Sequence, residues 1–423
     1  MKVKNPGKGG AGFLIFLVWL VYATSYLGKV NYSANITQII DFYQVTKAEA
    51  GLPPTFFFFA YGVGQVVNGL LCKRYPIKLT IFVSLTLSSL LNLTIAVSSD
   101  FGIVKWLWLA NGFALSLLWP TLIRLLSESL ATSELGKSSV VVGTTVACGT
   151  LAAYALGALF AFLNRFKLSF YAAAFADLLV AGIWLFSYQK ATNMALIQKA
   201  REDAPEEKET ANAGSKASGT MTKPVILSIV FLCLFAIVTN LVKDGLTTWV
   251  PSVLKEEYAL PDAIAILLTL ILPIVAIFGN ALALAVHKKI PDYITHSCVC
   301  FAAISGILGV ILWSLGAKIM AAMLVGLILT NLLASSINSL ISSIYPMFMR
   351  KQLNSGMFAG ILNGFCYLGS TISSYGLGSV ADKHGWFGVF WLLLGVCLFC
   401  CVIWLIYVIL RSVVTGKAKS PVN

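Results

Sequence analysis

Charge is what this chain has least of. Of its 423 residues 11% are Asp, Glu, Lys or Arg, 58% are hydrophobic and mean hydropathy is +0.85. Soluble domains carry roughly a quarter charged residues, so this chain cannot cover itself for water and lipid must be its covering solvent. Acidic residues are scarcer still, 17 against 30 Lys plus Arg, for a formal charge of +13. The basic surplus is scattered in short clusters between apolar runs, the pattern of loops on the cytoplasmic side of a bilayer. No basic stripe with interleaved aromatics is long enough to suggest nucleic acid.

Other absences exclude further classes. There is no Gly-rich βαβ unit and no Walker-type Gly-Lys-Ser/Thr loop, and His287, His296 and His384 form no evident catalytic group, so an enzyme is not expected. No repeated filter-like loop marks a channel. The nine cysteines lie in or beside apolar stretches, with neither a disulfide framework nor zinc spacing, and read as small packing residues. No cofactor is expected. The Met-Lys-Val-Lys start precedes an apolar run without a convincing cleavage site, so that run reads as the first transmembrane helix, in a plasma or bacterial inner membrane.

What is present is a series of twelve apolar runs long enough to cross a hydrocarbon core of about 30 Å. They fall near residues 11–39, 54–71, 77–97, 103–126, 138–162 and 169–188, then 224–254, 263–286, 295–315, 319–349, 355–380 and 387–410. The expected architecture is all-α and integral to the membrane: a six-helix bundle over 1–188, a cytoplasmic linker over 189–223, a second six-helix bundle over 224–411 and a cytoplasmic tail over 412–423. The linker contains Arg201-Glu-Asp-Ala-Pro-Glu-Glu-Lys-Glu-Thr210 and a Gly/Ser/Ala-rich run, a composition that cannot build a core. Placing the basic residues favours both termini and the linker in the cytoplasm.

Two lysines stand out against this background. Lys29, in Tyr22-Ala-Thr-Ser-Tyr-Leu-Gly-Lys-Val-Asn31, and Lys243, in Asn240-Leu-Val-Lys-Asp-Gly-Leu-Thr-Thr-Trp249, sit deep in the first and seventh runs. An ammonium there needs a polar cavity, an acidic partner or an anionic ligand. Snorkelling to an interface or a structural ion pair is the plainer explanation. A second internal match supports two related halves: Trp119-Pro-Thr-Leu-Ile-Arg124 ends the fourth run and Tyr345-Pro-Met-Phe-Met-Arg350 the tenth. Arg124 and Arg350 read as gating or phospholipid contacts.

The segments Tyr26-Leu-Gly-Lys-Val-Asn-Tyr-Ser33, Asn111-Gly-Phe-Ala-Leu-Ser-Leu-Leu-Trp-Pro120, Gly360-Ile-Leu-Asn-Gly-Phe-Cys-Tyr-Leu-Gly369 and Ala381-Asp-Lys-His-Gly-Trp386 resemble the major facilitator superfamily, and within it the organophosphate:phosphate antiporter branch. The resemblance implies two six-helix bundles rocking around a central site by alternating access, with cationic side chains of the first and seventh helices on the phosphoryl group. Members of that branch carry arginine at these two positions. Lys29 and Lys243 replace a planar bidentate fork by a point charge. Cys148 and Thr150 lie in the fifth run, where well-studied members carry a histidine, and Cys72-Lys-Arg-Tyr-Pro76 replaces the usual acidic loop.

The expected partner is therefore a small anion, phosphate or a phosphorylated metabolite, with lipid around a chain that could work as a monomer. Besides Lys29 and Lys243, the candidate ligands are Tyr22, Tyr26, Tyr61 and Tyr154, whose hydroxyls can donate to an anion, and the i,i+4 pair Asn363 and Tyr367. Tyr32 is a further hydroxyl near Lys29. Asp244 and Asp177 are candidates for coupling; adjacent helical residues point in different directions, so Asp244 need not neutralise Lys243, and a structural hydrogen bond is the first expectation for Asp177. Proton-coupled anion transport and a transporter-like membrane sensor stand as the alternatives.

Overall fold

The computed structural model describes residues 10–203, 223–345 and 355–417, and the described chain is a succession of helices without strands. Among the described residues nine helices are long and apolar enough to cross a membrane, or ten if the bent pair Asp262–Ala276 with Gly279–Lys289 counts as one span. Helix Lys47–Leu71 covers the second apolar run. Helix Ser355–Lys417 is two helices meeting at Gly385, whose φ of 65° is left-handed backbone that only glycine adopts freely.

Lipid dictates which faces are apolar. Phe16, Leu70, Phe162, Phe175 and Phe186 point outward, whereas Asn31, Asn92, Asn111, Ser84, Ser88 and Asp177 are buried. With no competing water in hydrocarbon, polar side chains satisfy one another inside the protein.

Several element boundaries depart from the apolar runs. The helix of the second run starts at Lys47 rather than at the Pro53-Pro54 pair, because Thr46 and Glu49 form a capping box: the Thr46 N–H donates to Glu49 Oε2 at 2.9 Å and the Glu49 N–H to Thr46 Oγ1 at 3.2 Å. Helix Lys167–Asp203 carries on into the stretch expected to be linker and buries Ala191 and Ala195. Residues 189–203 contain neither Gly nor Pro to stop it. The rest of that linker, residues 204–222, and residues 346–354 with Arg350, lie outside the described residues.

By contacts the chain forms two compact units. The first is Met1–Asn35 with Ala60–Lys216, and the second is Ile36–Phe59 with Ala217–Asn423. Each holds one of the two singled-out lysines.

Candidate functional site

In the first unit the leading span Gly10–Ala34 runs through a one-residue irregularity at Tyr26, whose backbone angles stay helical. Helix Gly10–Ser25 gives way to Leu27–Ala34 at Tyr26, and the Lys29 and Val30 amides both donate to the Tyr26 carbonyl. Gly28 sits in the turn that follows, and its carbonyl accepts from Asn111 Nδ2 at 2.8 Å. Asn92 and Asn31 extend this cluster: Asn31 Nδ2 donates to Asn92 Oδ1 at 2.9 Å, and Asn92 Nδ2 to the Ser88 carbonyl at 3.0 Å. Buried amides thus bond one another and the Gly28 carbonyl inside the protein.

Lys29 is buried beside that turn. Its Nζ lies 4.0 Å from the centre of the Tyr61 ring and 4.8 Å from that of Tyr26. Aromatic faces stabilise a cation, by about 0.5 to 2 kcal/mol each, without cancelling its charge. The Tyr22 and Tyr61 hydroxyls are 3.2 Å apart, and the Tyr22 ring packs on Tyr26 at 5.5 Å and on Trp119 at 4.8 Å. The structure therefore gathers Lys29, Tyr22, Tyr26 and Tyr61. Tyr32 turns its ring to Trp108 at 5.5 Å. Tyr154 is fully buried in helix Thr145–Phe162, which meets the first span at Gly149, against Ala23 and the Tyr26 Cβ.

Asp177 is fully buried on helix Lys167–Asp203 and faces the backbone of Gly28: a Cβ added at Gly28 would stand 2.8 Å from Asp177 Oδ2. Ser88 Oγ donates to that oxygen at 2.8 Å, the structural hydrogen bond expected from sequence. Asp177 Oδ1 has no hydrogen-bond partner among the described residues. Arg124 is tied locally, donating to Glu128 at 2.7 Å and to the Tyr75 carbonyl at 3.1 Å.

In the second unit Lys243 and Asp244 lie on helix Lys223–Tyr258. Of the alternatives left open for these neighbours the structure shows the ion pair: Lys243 Nζ lies 2.5 Å from Asp244 Oδ1. The long, flexible lysine stem folds back over its own turn to reach the carboxylate. Ser370 Oγ donates to the other oxygen, Asp244 Oδ2. Nearby, Asn240 Nδ2 donates to Asn338 Oδ1 at 3.0 Å. Asn363 and Tyr367 are half-buried on helix Ser355–Lys417, and the Tyr367 ring stacks with Phe58 at 6.4 Å.

Sequence reading missed Ser370, Ser88, Asn92, Asn111 and Trp119 as parts of these clusters. The i,i+4 polar pair Ser88/Asn92 in an apolar run was the available signal for two of them. Ser370 carried none, since it is one of several serines in a small-residue stretch.

Comparison with known proteins agrees with this architecture. The family model described as Major Facilitator Superfamily matches residues 18–358. The "Probable hexose phosphate transport protein" of Chlamydia trachomatis is 22% identical over 93% of this chain and 90% of that protein. The "Membrane sensor protein UhpC" of Escherichia coli is 24% identical over a shorter stretch, 29% of this chain and 28% of that protein. Among solved structures, a bacterial homologue of the human lysosomal transporter Spinster superposes with a TM-score of 0.73 at 13% identity, covering 99% of this chain and all of that one. A D-xylose-proton symporter does so at 0.71 and 14%, over 93% of this chain and 97% of its own. A family match across most of the chain, on an all-α membrane fold shared with solved transporters, places it among transporters rather than enzymes: the chain belongs to the Major Facilitator Superfamily, and within it is similar to the organophosphate:phosphate antiporter branch.

Proposed function

We propose that this transporter moves a small organic anion, a phosphorylated metabolite, in exchange for phosphate by alternating access. The observation that carries the reading is Lys29: a buried ammonium inside a membrane span, faced by Tyr26 and Tyr61. The printed names of the relatives, hexose phosphate transport among them, support the phosphorylated class. Lys243 of the second unit is the other proposed ligand, and Tyr22, Tyr26, Tyr61, Tyr154, Asn363 and Tyr367 are the proposed polar and aromatic lining. Asp177 and Asp244 are the proposed coupling residues if protons take part. The membrane is a plasma or bacterial inner membrane with both termini in the cytoplasm.

The logic of exchange is electrostatic. An anion held by Lys29 and Lys243 together draws both lysines toward it, so closure of the loaded carrier gains electrostatic energy that closure of the empty one lacks. The test is uptake of labelled phosphate into proteoliposomes that are empty or preloaded with phosphate, glucose 6-phosphate or glycerol 3-phosphate at equal pH. Strong stimulation by internal anion, lost in Lys29→Gln and Lys243→Gln, is expected. Undiminished uptake by both variants refutes the assignment. Uptake driven by a pH gradient alone turns the reading to proton coupling. Binding without flux turns it to sensing, a second reading favoured by the partial likeness to a membrane sensor protein.

A further inference from the structure

The Lys243–Asp244 pair carries an implication about which anions the site accepts, one that rests on the anion-transport reading above. The pair is built rather than incidental. Helices Lys223–Tyr258 and Ser355–Lys417 come almost into backbone contact at Gly369, where an added Cβ would stand 2.8 Å from the Ile237 carbonyl carbon, and at Gly245 side chains of the second helix close on the first, an added Cβ standing 2.6 Å from Leu377 Cδ1 and 3.2 Å from Ser373 Cβ. Asp244 and Ser370 are the chain neighbours of these glycines. The close approach is what lets Ser370 Oγ donate to Asp244 Oδ2 while Asp244 Oδ1 holds Lys243 Nζ at 2.5 Å.

The pair is also accessible. The side chains of Lys243 and Asp244 keep 23% and 18% of their surface open, enough for a small ligand to touch both. Asp244 is thus an internal anion already seated on Lys243. A ligand with negative charge alone reaches Lys243 only by standing beside the carboxylate, and like charges in contact oppose binding. A ligand with an anionic group and its own ammonium answers both members: the anion meets Lys243, and the ammonium donates to Asp244, whose oxygens each have two lone pairs and one recorded partner.

We propose that Asp244 is a specificity residue that favours zwitterionic phosphorylated metabolites, those joining a phosphoryl group to a primary ammonium, over phosphorylated compounds lacking the ammonium. Asp244 acts by contact with the ligand cation. Ser370 positions it.

Binding of two near-isosteric probes to the purified full-length chain tests this by calorimetry: O-phosphorylethanolamine and 2-hydroxyethyl phosphate, which differ in an ammonium against a hydroxyl. The wild-type chain is expected to bind the ammonium compound about tenfold more tightly, the effect of one good charge pair. Asp244→Asn is expected to erase that preference and to bind the hydroxyl compound at least as well as wild type does. Equal affinity for both probes in the wild-type chain overturns the proposal without any variant, so a misfolded Asp244→Asn protein leaves it open to refutation. A preference that persists in folded Asp244→Asn overturns it too. If phosphate binding still disappears in Lys243→Gln in either case, the anion-transport reading stands while this one falls. If neither probe nor inorganic phosphate binds the wild-type chain, both fall together.

Discussion

Gly149→Ala adds one methyl group at the place where helix Thr145–Phe162 leans on the first span. The added carbon would stand 2.6 Å from Tyr26 Cβ and 3.1 Å from the Ala23 carbonyl carbon. Ordinary carbon contacts begin at about 3.5 Å, so the two helices must part by roughly 1 Å. Backbone cannot swing aside as a side-chain tip does, and overpacking of this kind costs about 1 to 3 kcal/mol. Against it stands the helix propensity of Ala over Gly, about 1 kcal/mol. The net expectation is a loss of up to about 2 kcal/mol of stability, and a displaced Tyr26 beneath Lys29. Gly12→Ala is the control, since nothing lies within 4 Å of a Cβ there. Thermal unfolding of the detergent-purified proteins, with anion binding measured in parallel, checks this. Gly149→Ala should melt lower and bind more weakly, and Gly12→Ala should match or exceed wild type in melting. Equal melting and equal binding of the two variants would refute the argument that close backbone approach sets the position of Tyr26.

Two other perturbations probe the supports of the spans. Asn111→Ala removes the buried donor to the Gly28 carbonyl and leaves that acceptor short of a partner; a loss of about 1 to 3 kcal/mol is expected in unfolding experiments, and a variant as stable as wild type counts against the amide cluster as a support of the first span. The capping box predicts a pH effect: the Thr46 N–H, and then its hydroxyl, hold the Glu49 carboxyl below its ordinary value of 4.5. A lowered folded-state value means that this contribution is fully present above pH 4.5 and fades as pH falls through the folded value. Protection of the first turn of helix Lys47–Leu71, taken as exchange relative to the intrinsic rate at each pH, should therefore fall below about pH 4.5, and in Glu49→Gln that acid-dependent change should be absent.

Much of the fold was legible because one solvent imposes one rule. Apolar runs of span length become helices, and even the join at Gly385 falls between the eleventh and twelfth runs. The irregularities inside spans were not legible. Tyr26 and Asn35 carry no proline or glycine signal, and the amides that meet the Gly28 carbonyl, those of Asn92 and Asn111, come from other helices. The start at Lys47 was written in Thr46 and Glu49, but the Pro53-Pro54 pair is the louder local mark. Lys29 and Lys243 stood out as charges in hydrocarbon. That Lys243 is paired and that Tyr61 lies over Lys29 depends on side-chain reach and helix packing, which spacing along the chain does not encode.

The amino end of helix Lys47–Leu71 is fastened twice. Thr46 and Glu49 do it locally, while the Asp382 carboxylate accepts from the Lys47 N–H at 3.1 Å and the Ala48 N–H at 2.7 Å. These partners become available at very different times during synthesis. The local box exists as soon as Glu49 has been made, but Asp382 emerges only when most of the chain is already in the membrane. A nascent chain must therefore keep this helix start in order by itself through the insertion of nearly every other span. Loss of the local box should tax biogenesis more than the finished protein, and loss of Asp382 the reverse.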